Sequence, residues 1–223
     1  MDWYKKITLG DVLENAAEVF KDREALIFEG KRWTYEELNN ETNRVAKGLI
    51  ALGVTPGERI AVWMTNRPEW LFLMFAIAKV GACIVPLNTR YRTDDVAYTV
   101  TQSRSTTLIS LDKSGPIDYQ RMLQDSIPYI KQRSDGGLDV ANYPDLRRIV
   151  ILGDADLSMT MSWRDFLEHG SQVADRELAV RTSEADPDSM MMIAYTSGTT
   201  GHPKGVIHSH IPIRNTRERT QSL

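Results

Sequence analysis

Short, unbroken apolar runs alternate with amphipathic helical patterns along the first half of the chain. The run RIAVWM (59–64) precedes a helical pattern at 66–81, and ACIVPL (82–87) precedes another at 92–103. Apolar runs without polar alternation are typical of strands buried on both faces, and parallel strands need long, usually helical, crossovers between them. The order of these segments therefore predicts an α/β fold with a mainly parallel sheet covered by helices.

Local signals set the limits of two helices. Apolar positions spaced at helical intervals predict one helix over 9–20. Thr34 and Glu37 form a Thr-x-x-Glu capping box, which predicts a second helix running to about Leu52. Gly53 is placed to end that helix.

The pattern is weaker in the second half. Clusters of Gly, Pro, Asp and Ser predict loops around a short helix within 113–146. RRIVILG (147–153) predicts a buried strand, and 162–170 predicts a short helix that Ser caps and Gly ends. The polar stretch 181–189 predicts a linker into MMMIAY (190–195), which is apolar throughout and predicts another buried strand.

Composition excludes several classes of protein. The chain has 223 residues, 42% hydrophobic and 26% charged, with a formal net charge of -3. This balance is ordinary for a globular protein and argues against a nucleic acid partner. Lys79 and Pro86 interrupt the apolar stretch 70–87, which predicts a buried helix and a buried strand rather than a membrane span. Cys83 is the only cysteine and is predicted to be buried, which agrees with a reducing, cytoplasmic location.

A loop rich in Gly, Ser and Thr directly follows the predicted strand 190–195. Gly198 and Gly201 allow a tight turn that brings backbone N–H groups close to an anion. The loop's hydroxyl and ammonium groups belong to Thr196, Ser197, Thr199, Thr200 and Lys204. Pro203 and Gly205 stand where a Walker A loop has its second Gly and its Ser or Thr, and the dinucleotide fingerprint is also absent. The pattern therefore predicts a phosphate-binding loop of another type.

The run YTSGTTGHPKG (195–205) resembles the phosphate loop of the adenylate-forming superfamily, which includes acyl- and aryl-CoA synthetases, luciferases and peptide-synthetase adenylation domains. Residues 34–92 are also similar to the N-terminal segment of that family, and VPLNTRYR (85–92) is most similar to carboxylate–CoA ligases of the fatty-acid type. The resemblance implies that the residues contacting ATP phosphates are Thr196, Ser197, Gly198, Thr199, Thr200, Gly201 and Lys204. It also implies that Thr196 offers its hydroxyl to Mg²⁺.

A two-step reaction is what the resemblance implies. A carboxylate attacks the α-phosphate of ATP to give an acyl-adenylate and pyrophosphate, and the thiol of coenzyme A then displaces AMP. The loop would stabilise the negative charge that develops on the departing diphosphate. ATP, Mg²⁺, coenzyme A and a carboxylic acid are therefore the expected ligands, and the acid could be fatty, aromatic or alicyclic.

Members of this family are longer than the present chain. They carry an aromatic-Gly-x-Thr-Glu segment, an aspartate for the ribose and a lysine in a small C-terminal domain, and this sequence contains none of these after its loop. We therefore interpret 1–185 as the N-terminal α/β portion of an AMP-binding domain and 186–223 as its phosphate-loop segment. We expect that the chain alone catalyses no adenylation. The alternatives are a truncated phosphate-binding module, a fragment completed by a partner, and an unrelated regulatory module.

Three closely spaced histidines raise the possibility of a metal site. They are His202, His208 and His210, and the last two would share one side of a strand. No cysteine and no suitable acid accompanies them, so exposed or locally hydrogen-bonded rings are favoured over metal ligands.

An aspartate pair and a cluster of arginines are both interpreted as structural rather than functional. Asp94 and Asp95 are predicted to be first-turn acids of a helix rather than an acid–base pair, because adjacent helical side chains point in different directions. The arginines of the last ten residues alternate with Glu and Asn, which indicates a solvated helix face rather than a nucleic acid site. These arginines are Arg214, Arg217 and Arg219.

Overall fold

The computed structural model describes residues 6–127, 130–134, 137–153, 159–196 and 202–211. Its helices are α1 (Leu9–Val19), α2 (Tyr35–Ala51), α3 (Pro68–Lys79), α4 (Thr93–Gln102), α5 (Tyr119–Ser126), α6 (Trp163–Gly170) and α7 (Asp175–Ser183). Its strands are β1 (Glu24–Phe28), β2 (Lys31–Thr34), β3 (Arg59–Trp63), β4 (Cys83–Pro86), β5 (Thr107–Leu111), β6 (Lys113–Ser114), β7 (Ile117–Asp118), β8 (Ile130–Gln132), β9 (Leu138–Val140), β10 (Arg148–Leu152), β11 (Met161–Ser162), β12 (Met190–Thr196) and β13 (Lys204–Ser209).

A central sheet organises the fold. In the described part of the chain it contains seven strands in the order β11-β10-β5-β3-β4-β12-β13. Neighbouring strands are parallel from β11 through to β12, and β13 pairs with β12 in the antiparallel direction. The predicted α/β class with a mainly parallel sheet is therefore confirmed.

The central strands β10, β5, β3 and β4 form the core, because their apolar side chains are buried on both faces of the sheet. Ile60, Ile84, Leu108 and Val150, on four neighbouring strands, are fully buried. The helices between them pack on one another, α2 against α3 and α6, and α4 against α5. This arrangement explains why the strand sequences show no polar alternation.

The apolar stretch 70–87 divides as predicted into helix α3 and strand β4, which are both mostly buried. Cys83 lies within the core, and burial raises the pKa of its thiol to about 11. It is therefore a protonated core side chain at neutral pH, as expected. Among the described residues, no helix combines the length and the apolar character needed to cross a membrane.

The predicted helix starts are confirmed by their hydrogen bonds. The Thr34 hydroxyl accepts from the Glu37 amide at 3.2 Å, and the Glu37 carboxylate accepts from the Thr34 amide at 2.8 Å. Asp95 lies in the first turn of α4, where its carboxylate accepts from the Arg92 amide at 3.0 Å. Asp94 occupies the same turn, so this pair is structural.

The predicted linker at 181–189 is wrong in its first part, because α7 continues to Ser183. This helix has a weak apolar pattern in which Leu178 and Thr182 are its buried side chains. Two such positions give little periodicity for sequence analysis to detect. Acidic residues in its first turn and Arg181 in its last turn complement the helix dipole.

The short helix predicted within 113–146 is α5, and its hydrophobic face is buried. The same region also contains two small antiparallel pairs, β6–β7 and β8–β9, which the sequence did not indicate. Strands of two or three residues are too short to show an alternating pattern, and their formation depends on pairing.

Candidate phosphate-binding site

The predicted phosphate loop connects two paired strands, β12 and β13. Tyr195 pairs with Gly205, and Thr196 pairs with Lys204 in this ladder. Because β12 is parallel to β4, the loop leaves the sheet at the edge where the parallel strands have their carboxyl ends. Ligands of open α/β sheets bind outside this edge.

Thr196 and Lys204 are the predicted site residues that the structure describes. Both are exposed, and the Thr196 hydroxyl donates to the Lys204 carbonyl oxygen at 3.4 Å. Directly opposed residues of an antiparallel pair project from the same face, so the hydroxyl and the ammonium group share one side of the ribbon. The predicted residues that lie outside the described part are Ser197, Gly198, Thr199, Thr200 and Gly201, together with Arg214, Arg217 and Arg219.

Gly205, the last residue of the motif, is required by packing. A β-carbon at this position would stand 2.8 Å from the Ile193 side chain and 3.2 Å from the Tyr195 ring. A larger residue at position 205 would therefore displace the Tyr195 ring, which lies opposite it in the ladder. No local sequence pattern indicates this role, because the contact depends on the register of the two strands.

The Tyr195 side chain joins the start of the loop to helix α4. Its hydroxyl donates a hydrogen bond to the Gln102 side-chain oxygen, and the side chain is half-buried. Burial, together with the neighbouring Tyr98 hydroxyl, raises the pKa of Tyr195 to about 12. The phenol therefore keeps its proton at neutral pH and remains a hydrogen-bond donor.

The far side of the loop also contacts α4. The His202 ring stacks on the Tyr98 ring with 4.4 Å between centroids and 16° between planes. Tyr98 and Gln102 lie in the helix predicted over 92–103, but their residue types alone do not indicate a contact with the loop. Only their spacing of four residues, which places them on one helix face, hinted at a shared contact.

The three histidines occupy different environments. His202 is exposed, His208 is half-buried on β13, and His210 is buried beyond the end of that strand. The Nδ1 atom of His210 accepts a hydrogen bond from the Leu9 amide at 2.9 Å. The expectation of an exposed or locally hydrogen-bonded ring is wrong for His210, because this ring is buried and its partner is distant in sequence. Within the described ranges, no three His, Cys, Asp or Glu side chains are grouped to hold a metal ion.

The buried His210 ring is expected to make stability depend on pH. Burial lowers the pKa of His210 below its usual 6.5, and the negative charges of Asp11 and Asp186 partly oppose this shift. The unfolded chain therefore takes up a proton near pH 6.5, whereas the folded chain does so only at lower pH. The free energy of unfolding should fall by about 1 kcal/mol per pH unit below that point, until the folded-state pKa is passed.

Urea unfolding at a series of pH values between 7.5 and 5 measures this effect. The His210→Asn variant retains an acceptor for the Leu9 amide and should show a flatter profile. His169→Asn, which removes an exposed histidine, controls for the loss of a histidine as such. Equal slopes for the wild type and His210→Asn would contradict the assignment.

The model of the AMP-binding enzyme family matches residues 13–221 of this chain. Individual relatives agree with that match. The mitochondrial medium-chain acyl-CoA ligase ACSF2 of Danio rerio is 30% identical over 210 residues, covering 93% of this chain and 34% of that protein. The crotonobetaine/carnitine–CoA ligase of Salmonella enteritidis is 30% identical over 213 residues, covering 92% of this chain and 37% of that protein.

A solved structure shows the same fold. The anthranilate–CoA ligase AuaEII, crystallised with anthranoyl-AMP, superposes with a TM-score of 0.72 and 25% sequence identity. The match covers 92% of the present chain and 35% of that protein. The chain therefore spans little more than a third of the length of the curated relatives it matches.

Proposed function

The chain belongs to the AMP-binding enzyme family, and from this membership we propose that it is the N-terminal part of an ATP-dependent carboxylate–CoA ligase. In the proposed reaction a carboxylate oxygen attacks the α-phosphorus of ATP, and the bond between that phosphorus and the bridging oxygen to the β-phosphate breaks. Pyrophosphate leaves with the bonding electron pair. The thiol of coenzyme A then attacks the acyl-adenylate and releases AMP.

One observation carries the proposal: Thr196 and Lys204 are opposed in the β12–β13 ladder at the carboxyl edge of the sheet. Lys204 is exposed on a long, flexible stem, so its ammonium group can approach a phosphate beside the Thr196 hydroxyl. The seven residues between them include Ser197, Gly198, Thr199, Thr200 and Gly201.

The proposed task of these residues is to stabilise the leaving group. Charge grows on the β- and γ-phosphates as the bond breaks, and groups already aimed at them lower the barrier most. The phosphate-binding residues in this proposal are Thr196, Ser197, Gly198, Thr199, Thr200, Gly201 and Lys204. Lys204 would supply a point charge, and the hydroxyls and loop amides would supply directed hydrogen bonds.

Thr196 is also the residue that we propose as a ligand of Mg²⁺. This ion takes oxygen ligands and in nucleotide sites is commonly held by phosphates and water as well as by protein. The exposed Thr196 hydroxyl fits such a set as one neutral oxygen. When bound, the ion would neutralise charge on the phosphates, and this chain would contribute that single oxygen.

The location and the substrate class complete the proposal. A cytoplasmic location rests on the single cysteine, Cys83, and on its burial as a thiol. A carboxylic acid and coenzyme A as substrates rest on the relatives, which are named as ligases of acyl groups and coenzyme A.

A second candidate function is phosphate binding without catalysis. It is favoured because the chain spans between 34% and 39% of the length of the curated relatives it matches. In this form of the proposal the chain binds the ATP phosphates but completes no adenylate unless the rest of such a protein is supplied.

Titration of the purified chain with MgATP in a calorimeter tests the proposed site. Lys204→Ala is expected to weaken binding by about tenfold, because it removes a charge-assisted contact. Lys21→Ala removes another exposed lysine, far along the chain from the loop, and should leave the affinity unchanged. Equal affinities for the wild type and Lys204→Ala would contradict the assignment of this loop.

Exchange of labelled pyrophosphate into ATP separates the two candidate functions. The assay is run with the same preparations in the presence and absence of a mixture of fatty, aromatic and alicyclic acids. Carboxylate-dependent exchange above the Lys204→Ala background would establish a competent ligase in this chain. MgATP binding without exchange would support the non-catalytic form.

A further inference from the structure

Helix α4 contacts both chain segments that border the phosphate loop. On the entering side, the Tyr195 hydroxyl donates to the Gln102 side chain. On the leaving side, the His202 ring stacks on Tyr98 at 4.4 Å between centroids. Tyr195 is one residue before Thr196, and His202 is two residues before Lys204. Each contact therefore lies just before one of the two described residues of the proposed site.

The same helix is firmly attached to the rest of the fold. Val96 and Val100 are buried in the core, and Thr99 is fully buried beside them. At its amino end, the Asp95 carboxylate accepts from the Arg92 amide at 3.0 Å. An element held by core packing at two turns moves little relative to the sheet, so it provides a fixed reference for whatever it touches.

The two contact residues lie on one face of α4. Tyr98 and Gln102 are four residues apart, which places their side chains one above the other along the helix. Tyr98 is half-buried and Gln102 is exposed at the last position of the helix. Because both contacts come from one face of α4, they hold the β12–β13 pair in place against this helix, while the ladder between the strands sets their separation.

We propose that Tyr98 and Gln102 are positioning residues for phosphate binding. By holding His202 and Tyr195, they keep Thr196 and Lys204 in the geometry that faces the phosphates of ATP. The inference rests on the proposed function, because it assumes that the loop binds phosphate. It adds that part of the entropic cost of fixing Thr196 and Lys204 is met before the ligand arrives.

The stacking of His202 on Tyr98 is tested by NMR of the histidine ring protons. Aromatic rings shift nuclei above their faces upfield, so the ring protons of His202 should resonate upfield of those of an exposed histidine. The shift should be lost in Tyr98→Ala and retained in Tyr98→Phe, which keeps the ring. A wild-type chain without this shift would overturn the proposal, whatever its affinity for nucleotide.

The consequence for binding is measured by MgATP titration. Tyr98→Ala should weaken the affinity by about fivefold, Tyr98→Phe should restore it, and Gln102→Ala should weaken it by about threefold. Thr101→Ala is the matched control, because it removes an exposed side chain of α4 that contacts Asn142 instead of the loop. Thermal melts of all variants separate loss of binding from loss of folding.

A double-mutant cycle tests whether Tyr98 acts through His202. If it does, Tyr98→Ala should have little further effect in a chain that already carries His202→Ala, whereas independent effects would multiply. Independent effects, or a Tyr98→Ala chain that binds as tightly as the wild type while Lys204→Ala is weakened, would overturn the inference and leave the proposed function intact. Absence of MgATP binding by the wild type would overturn both.

Discussion

Replacing Gly170 with valine is expected to lower the free energy of unfolding by about 3 kcal/mol. Gly170 ends α6 against α2, where a β-carbon would stand 2.6 Å from the Gly48 amide nitrogen and 2.9 Å from its α-carbon. These atoms belong to the backbone of a helix, so the clash cannot be relieved by a change of rotamer. The two helices must move apart, which loosens the packing of Phe166 against Gly48. Urea unfolding followed by circular dichroism measures the loss.

The effect of the close contact must be separated from the effect of losing a glycine. Gly30 provides the control, because it has a φ of +81° and a β-carbon added there would meet no atom within 4 Å. Gly30→Ala should therefore cost only the strain of a left-handed residue, about 1 kcal/mol. If Gly170→Val is no less stable than Gly30→Ala, the close approach of α2 and α6 is not a constraint on this fold.

The order of elements in the first half was accessible from sequence because each signal is local. The buried strands around Ile60 and Ile84 appear as unbroken apolar runs, and the capping box of Thr34 and Glu37 marks the start of α2. The order of strands in the sheet was not accessible, because it depends on contacts between distant segments. Helix α7 was missed for a related reason, since its stability comes from a few contacts made by Leu178 and Thr182.

The candidate site shows the same division. The residue types between Tyr195 and Gly205 predict a phosphate loop, and its chemistry was predicted from the resemblance of this run to the adenylate-forming superfamily. The contacts of Tyr98 with His202 and of Gln102 with Tyr195 join residues about a hundred positions apart, and no periodicity reports them. Sequence therefore predicts the groups that would touch a ligand, whereas the residues that we propose to hold them in place could be found only from the structure.

Replacing Lys79 with alanine is expected to lower the free energy of unfolding by about 3 kcal/mol. Lys79 is fully buried, and its Nζ donates to Glu14 at 2.7 Å, to Asn39 at 2.9 Å and to Asn43 at 2.8 Å. These partners lie on α1 and α2, so one ammonium group joins three helices. Alanine would leave a cavity and two amide oxygens without their donor.

The stability lost in Lys79→Ala is smaller than the loss expected when one partner of a wholly buried ion pair is removed. Glu14 is 41% exposed, so water can solvate its carboxylate. Lys79→Met fills most of the volume and removes only the donors, so it separates packing from hydrogen bonding. Burial lowers the pKa of Lys79, with Glu14 opposing that shift, so the ammonium form depends on these bonds. We expect Lys79→Met to recover part of the stability lost in Lys79→Ala, as measured by urea unfolding. A Lys79→Met protein as stable as the wild type would show that the ammonium group is tolerated in the core rather than required there.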